Sequence, residues 1–178
     1  MLTVGHSTLP IGSFVGALEA NGCRLLVDVR RFPGSRRYPQ FGQEALFASL
    51  AERGIEGVWR EGLGGRRKAL AESVNMGWRN ESFRGYADYM QTDEFAREIE
   101  WLLGREETGG VAVMCAEAVP WRCHRSLIAD AMLVHGAEVE DLFIEEGGRN
   151  SRKRHQMTPF ARVDGVRLWY PKEGELFG

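Results

Sequence analysis

The sequence has little cysteine, almost no net charge and no long hydrophobic run. Its three cysteines are too few, and odd in number, for a complete disulfide framework, so we expect reduced thiols. A formal net charge of -2 argues against a polycationic nucleic-acid binder, and any recognition of anions must therefore be local. The first residues, Met-Leu-Thr-Val-Gly-His, lack the pattern of a secretory signal, and we expect no segment that crosses a bilayer. We expect a cytoplasmic protein with no membrane partner.

What is present is the composition of an ordinary globular protein. With 43% apolar residues in 178, the chain can bury a core without disulfides or a structural metal. We expect an α/β domain over residues 1–146, with a basic segment and a short strand over residues 147–178 packed on the same domain. The sequence does not indicate the oligomeric state.

Apolar patterns along the chain predict alternating strands and helices. Strands are predicted at residues 2–5, 25–30, 55–60, 110–115, 139–144 and 166–170, and helices at residues 10–20, 44–53, 83–90, 95–103 and 127–134. This order is typical of a three-layer α/β fold, an open, mostly parallel sheet flanked by helices. The glycine-rich and charged segment 61–80 predicts a lid or binding loop. The basic run 149–155 is interpreted as solvated surface.

The densest chemistry lies at the end of the strand predicted at residues 110–115. That strand ends on Cys115, and the following turn carries Glu117, Pro120, Arg122, Cys123, His124 and Arg125. Ligands of open α/β sheets bind at this end of the strands, near helix N-termini. Pro120 predicts a helix beginning close after it, whose first turn would hold the positive side chains. Positive charge at a helix N-terminus is unfavourable, and a bound anion would offset this effect. Alternatively, the arginines could turn back to Glu117.

Further motifs are spread along nearly the full chain. They are Val4-Gly-His6-Ser7, Leu26-Val-Asp28-Val-Arg30, Leu63-Gly64-Gly65, Phe83-Arg-Gly85-Tyr86, Met114-Cys115-Ala-Glu117 and Cys123-His124-Arg125. Together they resemble the family named domain of unknown function 488, and the resemblance implies an α/β fold and a shared polar site without an assigned activity. The sequence departs from the expected pattern at residues 141–144, where we expect a histidine-containing strand in relatives.

Two kinds of catalysis are open to these residues. A thiol at Cys115 or Cys123, close to His124 and arginines, is in a setting that favours a reactive thiolate, although a buried inert cysteine is the alternative. The spacing from Cys115 to Arg122 does not fit a cysteine-dependent phosphatase loop. Glu117, His124 and Asp28 could exchange protons with a substrate, but Asp28 could equally be structural and pair with Arg30.

A metal ion is not expected at this turn. Two cysteines and a histidine are ligands that zinc prefers. Neighbouring residues on a helix, however, diverge by about 100°. Cys123 and His124 would therefore not face one ion unless the helix began later. We predict no metal and no other cofactor.

These observations predict an enzyme of unassigned activity, a cysteine-dependent transferase or hydrolase, that binds a phosphate- or carboxylate-bearing substrate in a strand-end pocket. The predicted catalytic residues are Cys115, Glu117, Cys123, His124 and Asp28. The predicted substrate-binding residues are His6, Ser7, Arg30, Gly64, Gly65, Arg66, Arg122 and Arg125.

Two alternatives remain open. The first is a non-catalytic nucleic-acid-binding module that uses aromatic and basic residues between 59 and 89 together with the run 149–155. The second is a redox sensor in which Cys115 and Cys123 form a reversible disulfide. The predicted partner is accordingly an anionic small molecule or a nucleic acid.

Overall fold

The computed structural model describes residues 1–172, which are built around a six-stranded β-sheet. Its strands are β1 (Leu2–Gly5), β2 (Leu25–Asp28), β3 (Glu56–Trp59), β4 (Val111–Cys115), β5 (Glu140–Ile144) and β6 (Asn150–Arg154). They lie in the order β3-β2-β4-β1-β5-β6. The first five are parallel, and β6 pairs antiparallel with β5. The predicted open, mostly parallel sheet is confirmed.

Helices cover both faces of this sheet. They are α1 (Ile11–Ala20), α2 (Gln43–Ala51), α3 (Glu81–Tyr89), α4 (Asp93–Glu106) and α5 (Arg125–Val134). Helices α1 and α2 share one apolar cluster with Leu26 and Met114, whereas α3, α4 and α5 share the other with Val27 and Val113. Because successive strand residues point to opposite faces, the continuous apolar runs of β2 and β4 serve both layers. Among the helices of the described residues, none combines the length and apolarity needed to span a membrane.

Side-chain caps determine where α3 and α4 begin. The Asn80 side chain accepts hydrogen bonds from the backbone amides of Ser82 and Phe83, and the Thr92 hydroxyl accepts one from the amide of Phe95. Both helices begin two residues before the predicted positions. The apolar pattern starts only with the first inward side chain, whereas the cap and the first turn precede it.

The basic run at residues 149–155 forms part of the sheet. Its side chains from 150 to 154 are exposed, as expected of a solvated charge run, but its backbone forms the edge strand β6. His155, directly after the strand, is buried. Charged side chains are common on edge strands, so a charge run alone does not distinguish such a strand from a loop.

A buried polar network joins α5, β5 and the C-terminal segment. His155 donates from Nδ1 to Asp141 at 2.9 Å and from Nε2 to Asp130 at 3.2 Å, and the Tyr170 hydroxyl donates to Asp130 at 2.9 Å. Burial lowers the pKa of His155, but the two carboxylates outweigh it and raise that pKa to about 9. A positively charged imidazole therefore lies between two carboxylates, and it connects β6 to the body of the domain.

The segment before Tyr170 is a short hairpin of β7 (Arg162–Asp164) and β8 (Arg167–Trp169). Strand β8 coincides with the strand predicted at residues 166–170. Leu168 and Tyr170 are buried in the cluster that α3, α4 and α5 share. This part of the chain therefore contributes to the same core as the sheet.

One carboxylate holds the middle of the long segment between β3 and α3. After a short 3-10 turn at residues 61–63 it has no regular structure until Glu81. Asp88 of α3 is buried and accepts hydrogen bonds from the amide of Leu70, the hydroxyl of Ser73 and the side-chain amide of Asn75. The beginning of this segment lies against the site described next.

Candidate active site

A pocket of about 300 Å³ opens at the carboxyl ends of β2 and β4. The predicted site residues that line it are Arg30, Gly65, Arg66, Cys115, Glu117, Arg122, Cys123 and His124. The remaining predicted residues, His6, Ser7, Asp28, Gly64 and Arg125, are not among its lining residues. The pocket is thus formed by strand ends, by the start of the long loop and by the turn before α5.

The turn after Cys115 does not lead directly into a helix. Pro120–Arg122 forms a single 3-10 turn, Cys123 is extended at φ -137° and ψ 140°, and α5 begins only at Arg125. The predicted start of the helix close after Pro120 is therefore wrong. The 3-10 turn closes with the amide of Cys123 donating to Pro120, and the extended residue then redirects the chain. As a result, Cys123 and His124 do not diverge as neighbours on a helix would.

The side chains of Cys123 and His124 face each other in the pocket. Sγ of Cys123 lies 3.7 Å from Nδ1 of His124, and Nε2 of His124 lies 3.0 Å from the carbonyl oxygen of Val29. Because a carbonyl can only accept, we assign the hydrogen on Nε2. Nδ1 is then the nitrogen that exchanges a proton with the thiol. The ring of Tyr86, 4.9 Å away between centroids, packs against the imidazole and limits its rotation.

The two thiols of the pocket differ in protonation. The hydrogen bond to Cys123 and burial raise the pKa of Cys115 well above its usual value. Burial also raises the pKa of Cys123, but the hydrogen bonds that its thiol group shares with Cys115 and His124, together with nearby positive charge, outweigh burial and hold it well below the usual value. The third cysteine is different, because burial raises the pKa of Cys23 to about 12. Of the two thiols, Cys123 is therefore the one that loses its proton more readily, and Cys115 is the one that keeps it.

Three donor atoms of metal-binding type converge here. One ligand atom from each of Cys115, Cys123 and His124 lies within 4.8 Å of the other two. Neighbours on a helix would point apart, but α5 begins only at Arg125. Cys123 and His124 precede it, so both can face one ion. The closeness of the two sulfurs also leaves the predicted disulfide as an open alternative.

Asp28 and Arg30 form a buried ion pair beside the pocket. The Asp28 carboxylate is fully buried and accepts from Nε and Nη2 of Arg30 at 2.6–3.1 Å. Nη1 of Arg30 donates to the carbonyl of Phe41 at 2.8 Å. His6 stacks on the ring of Phe41 at 4.1 Å, and burial lowers the pKa of His6 to about 4. This geometry agrees with the alternative in which Asp28 is structural and pairs with Arg30. Its catalytic role stays a prediction.

Arg125 fixes the turn that follows Cys115. The residue is 1% exposed, and its guanidinium donates to the carbonyls of Glu117 at 2.6 Å and Ala118 at 3.0 Å. Gly5 at the end of β1 also touches this turn, since a Cβ there would lie 1.7 Å from the carbonyl oxygen of Glu117. The Glu117 side chain is exposed at the pocket rim. Arg125 thus positions the backbone from which Glu117 projects.

Two exposed arginines stand at the pocket mouth. Arg66 and Arg122 are both exposed, and within residues 1–172 neither makes an ion pair. Arg66 has a left-handed backbone at φ 58°, and its guanidinium lies 5.6 Å from the ring centroid of Phe32. These two side chains, rather than Arg30 and Arg125, have donors available to an incoming anion.

Glycine at position 65 leaves room beside His124. A Cβ at Gly65 would lie 2.8 Å from Nδ1 of that ring. Gly64 packs equally closely against backbone, with a Cβ 2.9 Å from the carbonyl oxygen of Glu61. Ser7 lies in a left-handed turn at φ 47°, where its amide donates to Ala116 at 2.9 Å. Both glycines therefore allow close packing around the site, and Ser7 anchors the turn.

Sequence reasoning did not identify several residues of the pocket wall. Arg31, Phe32, Ser82 and Phe83 line the pocket together with the predicted residues. The position of Arg31 and Phe32 directly after a strand end was a usable signal, because such residues lie at the same edge as Cys115. Phe83 belongs to one of the motifs of the family resemblance but was not assigned to the pocket, and Ser82 carried no signal, since a contact between the start of α3 and this edge depends on how the long loop folds.

Comparisons with known proteins give one family match. A family model described as a domain of unknown function, DUF488, matches residues 10–132, a range that includes the turn with Cys115, Cys123 and His124. No curated protein and no solved structure matches the chain.

Proposed function

Because this chain belongs to the DUF488 family, a domain of unknown function, its activity must be inferred from its own pocket, and we propose a cysteine-dependent enzyme that acts on an anionic substrate. The observation that carries the proposal is the 3.7 Å contact between Sγ of Cys123 and Nδ1 of His124 in an open pocket. A thiol beside an oriented imidazole is the arrangement used to generate a nucleophile.

Each polar group near Cys123 has a role in this mechanism. His124 accepts the thiol proton at Nδ1, while the carbonyl of Val29 holds the other ring nitrogen. The Cys123 thiolate then attacks an electrophilic carbon, sulfur or phosphorus atom, which is the first step of both transfer and hydrolysis. Glu117, exposed at the rim, exchanges a proton with the leaving group or with the second substrate.

The charge at the pocket supports an anionic substrate. Arg66 and Arg122 are exposed at the mouth, and Arg30 lies in the wall. A guanidinium can donate two parallel hydrogen bonds to a carboxylate or phosphate. Arg30 is already neutralised by Asp28, so Arg66 and Arg122 provide the net attraction. Arg30 and Arg125 contribute by holding the walls in place.

Alkylation kinetics test the thiol. The protein is reduced, treated with a chelator and reacted with iodoacetamide at pH 7, and each cysteine is quantified by mass spectrometry. We expect Cys123 to react at least about 10-fold faster than Cys23, because the thiolate is the reacting form. His124→Gln should slow the alkylation of Cys123 by a similar factor without changing the alkylation rate of Cys23. A Cys123 that reacts as slowly as Cys23 would contradict the proposal.

A charged reagent tests the anion preference. Iodoacetate and iodoacetamide differ mainly in charge, so the ratio of their rates at Cys123 reports the electrostatics of the pocket. We expect Arg66→Ala and Arg122→Ala each to lower this ratio, with a larger effect at low salt, because exposed charges are screened. Arg53→Ala, at a residue that is paired with Glu19 and does not line the pocket, is the matched control. An equal rate ratio in the unchanged protein and in all three variants would show that Arg66 and Arg122 do not attract the substrate.

One observation favours nucleic-acid binding as a second candidate function. The thiol pocket shares Phe83, Glu117 and Arg122 with a shallow depression, which in turn shares Trp78 and Trp121 with an apolar cavity of about 360 Å³. Trp121 is 66% exposed, and the centroid of its ring lies 6.4 Å from that of Phe143. The ammonium group of Lys153 lies over the Phe143 ring. Exposed aromatic rings beside cations suit single-stranded nucleic acid, in which bases stack and phosphates pair.

Oligonucleotide binding distinguishes the two candidates. If the surface around Trp78 and Trp121 binds single strands, we expect a labelled strand of twelve thymidines to bind with an affinity that falls steeply as the salt concentration rises. Trp121→Ala should then weaken binding by about 1–3 kcal/mol, the usual value for one stacked base. Tight binding together with slow alkylation of Cys123 would favour the non-catalytic module. Fast alkylation without oligonucleotide binding would favour an enzyme with a small anionic substrate.

A further inference from the structure

We propose that Cys115, Cys123 and His124 bind one Zn²⁺ ion, and that the bound metal reversibly blocks the thiol of the pocket. This inference rests on the proposed function, because blocking is a form of regulation only where the thiol reacts. The ligand class follows from the donors, since two sulfurs and one imidazole nitrogen favour zinc over magnesium or calcium.

The distances fit a tetrahedral centre. Standard bond lengths place a sulfur and a nitrogen ligand of zinc about 3.6 Å apart and two sulfur ligands about 3.8 Å apart. Sγ of Cys123 and Nδ1 of His124 are 3.7 Å apart, and all three donor atoms lie within 4.8 Å of one another. All three residues line the pocket, so a fourth ligand could reach the ion from the pocket.

The surroundings of His124 are those of a metal-binding histidine. Such a histidine usually donates its second ring nitrogen to a backbone carbonyl or a carboxylate, which fixes the tautomer. Here Nε2 lies 3.0 Å from the carbonyl oxygen of Val29, and Nδ1 is the nitrogen turned to the sulfurs. The absence of a side chain at Gly65 leaves space next to Nδ1, where a Cβ would lie only 2.8 Å away.

Binding exchanges protons for the metal. Cys115 carries one proton, and Cys123 and His124 share a second. Coordination forms two Zn–S bonds and one Zn–N bond and releases both protons to solvent, while the metal stays in its +2 state. Two thiolates neutralise the ion, and the nearby Arg125 remains bound to the carbonyls of Glu117 and Ala118. The electron pair with which Cys123 would attack a substrate is then engaged in the bond to zinc.

Zinc titration of the stripped protein tests the site directly. Reduced, chelator-treated protein should take up one Zn²⁺ per chain in competition with a chromophoric chelator. Co²⁺ in place of zinc should give the thiolate charge-transfer and d–d bands of a tetrahedral centre. Saturation without these bands would place the metal elsewhere and overturn the inference.

Protection of Cys123 tests the regulatory part. The rate of its alkylation by iodoacetamide is measured with chelator and with one equivalent of Zn²⁺, and their ratio is the protection factor. We expect protection of at least about 10-fold, reversed by added chelator, because metal-bound thiolate is a poor nucleophile. Fast alkylation that zinc does not slow would overturn this inference and leave the proposed enzyme intact. Slow alkylation even in chelator would instead contradict the enzyme itself.

Single substitutions separate the site from unspecific binding. Cys115→Ser and His124→Gln should each weaken zinc binding by more than the roughly 10–100-fold that loss of an outer-shell partner costs. Cys23→Ser should leave both the zinc affinity and the protection factor unchanged, since Cys23 is buried on the opposite layer of the sheet. Equal zinc affinity in all variants would overturn the inference, and circular dichroism shows that each variant is folded.

Discussion

Gly65 determines how the imidazole of His124 is placed. The ring lies between this glycine, the ring of Tyr86 and the carbonyl of Val29, and its contact with Cys123 depends on all three. A side chain at position 65 would occupy the space next to Nδ1. The same missing Cβ therefore supports both the thiol chemistry and the metal site.

We predict that Gly65→Ala slows alkylation of Cys123 by at least about 10-fold, because the displaced ring no longer stabilises the thiolate. The added Cβ would start 2.8 Å from Nδ1 of His124, closer than real Cβ contacts come. Mass-spectrometric alkylation rates measure the effect. Gly16→Ala is the control: nothing lies within 4 Å of its Cβ, and in helix α1 it should stabilise the fold by about 0.5–1 kcal/mol. Unchanged reactivity in Gly65→Ala would contradict this account.

The chemistry of the site was predictable from sequence, whereas its geometry was not. Cys115, Cys123 and His124 could be identified because they lie within ten positions of one another, starting from the last residue of a buried strand. Whether Cys123 and His124 face each other depends on where α5 begins, and that position is set by an extended residue that no local pattern announces. The same limit applies to Arg125, whose guanidinium turns into the protein to hold two carbonyls.

The long loop before α3 is held in place by a residue that follows it in the chain. Asp88 accepts hydrogen bonds from Leu70, Ser73 and Asn75, and Asn75 in turn accepts from the amide of Tyr170. Sequence reasoning recognised the length and composition of the loop. It could not recognise the anchor, because an aspartate inside a helix pattern carries no sign of its distant partners.

We predict that Asp88→Asn loosens this loop and lowers the free energy of unfolding by about 1–3 kcal/mol. The new amide would place a donor against the amide of Leu70, which needs an acceptor. Hydrogen exchange should accelerate at Leu70 and its neighbours, and urea unfolding measures the loss. Asp93→Asn, at an exposed position in the first turn of α4, is the matched control and should cost less than about 1 kcal/mol. Similar exchange rates in both variants would contradict the anchoring role of Asp88.

Over the whole chain, two buried histidines have opposite effects on stability. Burial lowers the pKa of His6 to about 4, so the unfolded chain binds a proton between pH 6.5 and 4 that the folded protein does not. His155 has the reverse behaviour, because Asp130 and Asp141 overcome its burial and raise its pKa to about 9. Its contribution is complete below pH 6.5 and is lost as the pH rises through 9.

We therefore predict that the free energy of unfolding has a maximum near pH 6.5 and decreases on both sides. Urea unfolding at pH 5, 6.5 and 8.5 measures the curve. NMR titration of the imidazole protons provides the assignment, with His6 changing near pH 4 and His155 near pH 9. A stability that rises steadily from pH 5 to 8.5, or a His155 that titrates near 6.5, would contradict the prediction.

The arrangement of layers could be predicted because it depends on repeated local patterns. Alternating buried strands and amphipathic helices indicated a parallel sheet with two covered faces, and the structure confirms it. The edge strand β6 was missed because its five side chains are all exposed, so no apolar alternation marks it. Its link to the core is His155, whose two aspartate partners lie 14 and 25 positions earlier in the chain.

The buried network around Asp130 has a consequence for biosynthesis. A ribosome adds Asp130 well before its partners, His155 following 25 residues later and Tyr170 40 residues later. Until both have left the exit tunnel, native packing of α5 would leave a carboxylate without compensation, at a cost of about 3–5 kcal/mol. The nascent chain should therefore complete its fold only after Tyr170 has emerged, and a stalled chain ending near residue 150 should remain a substrate for chaperones.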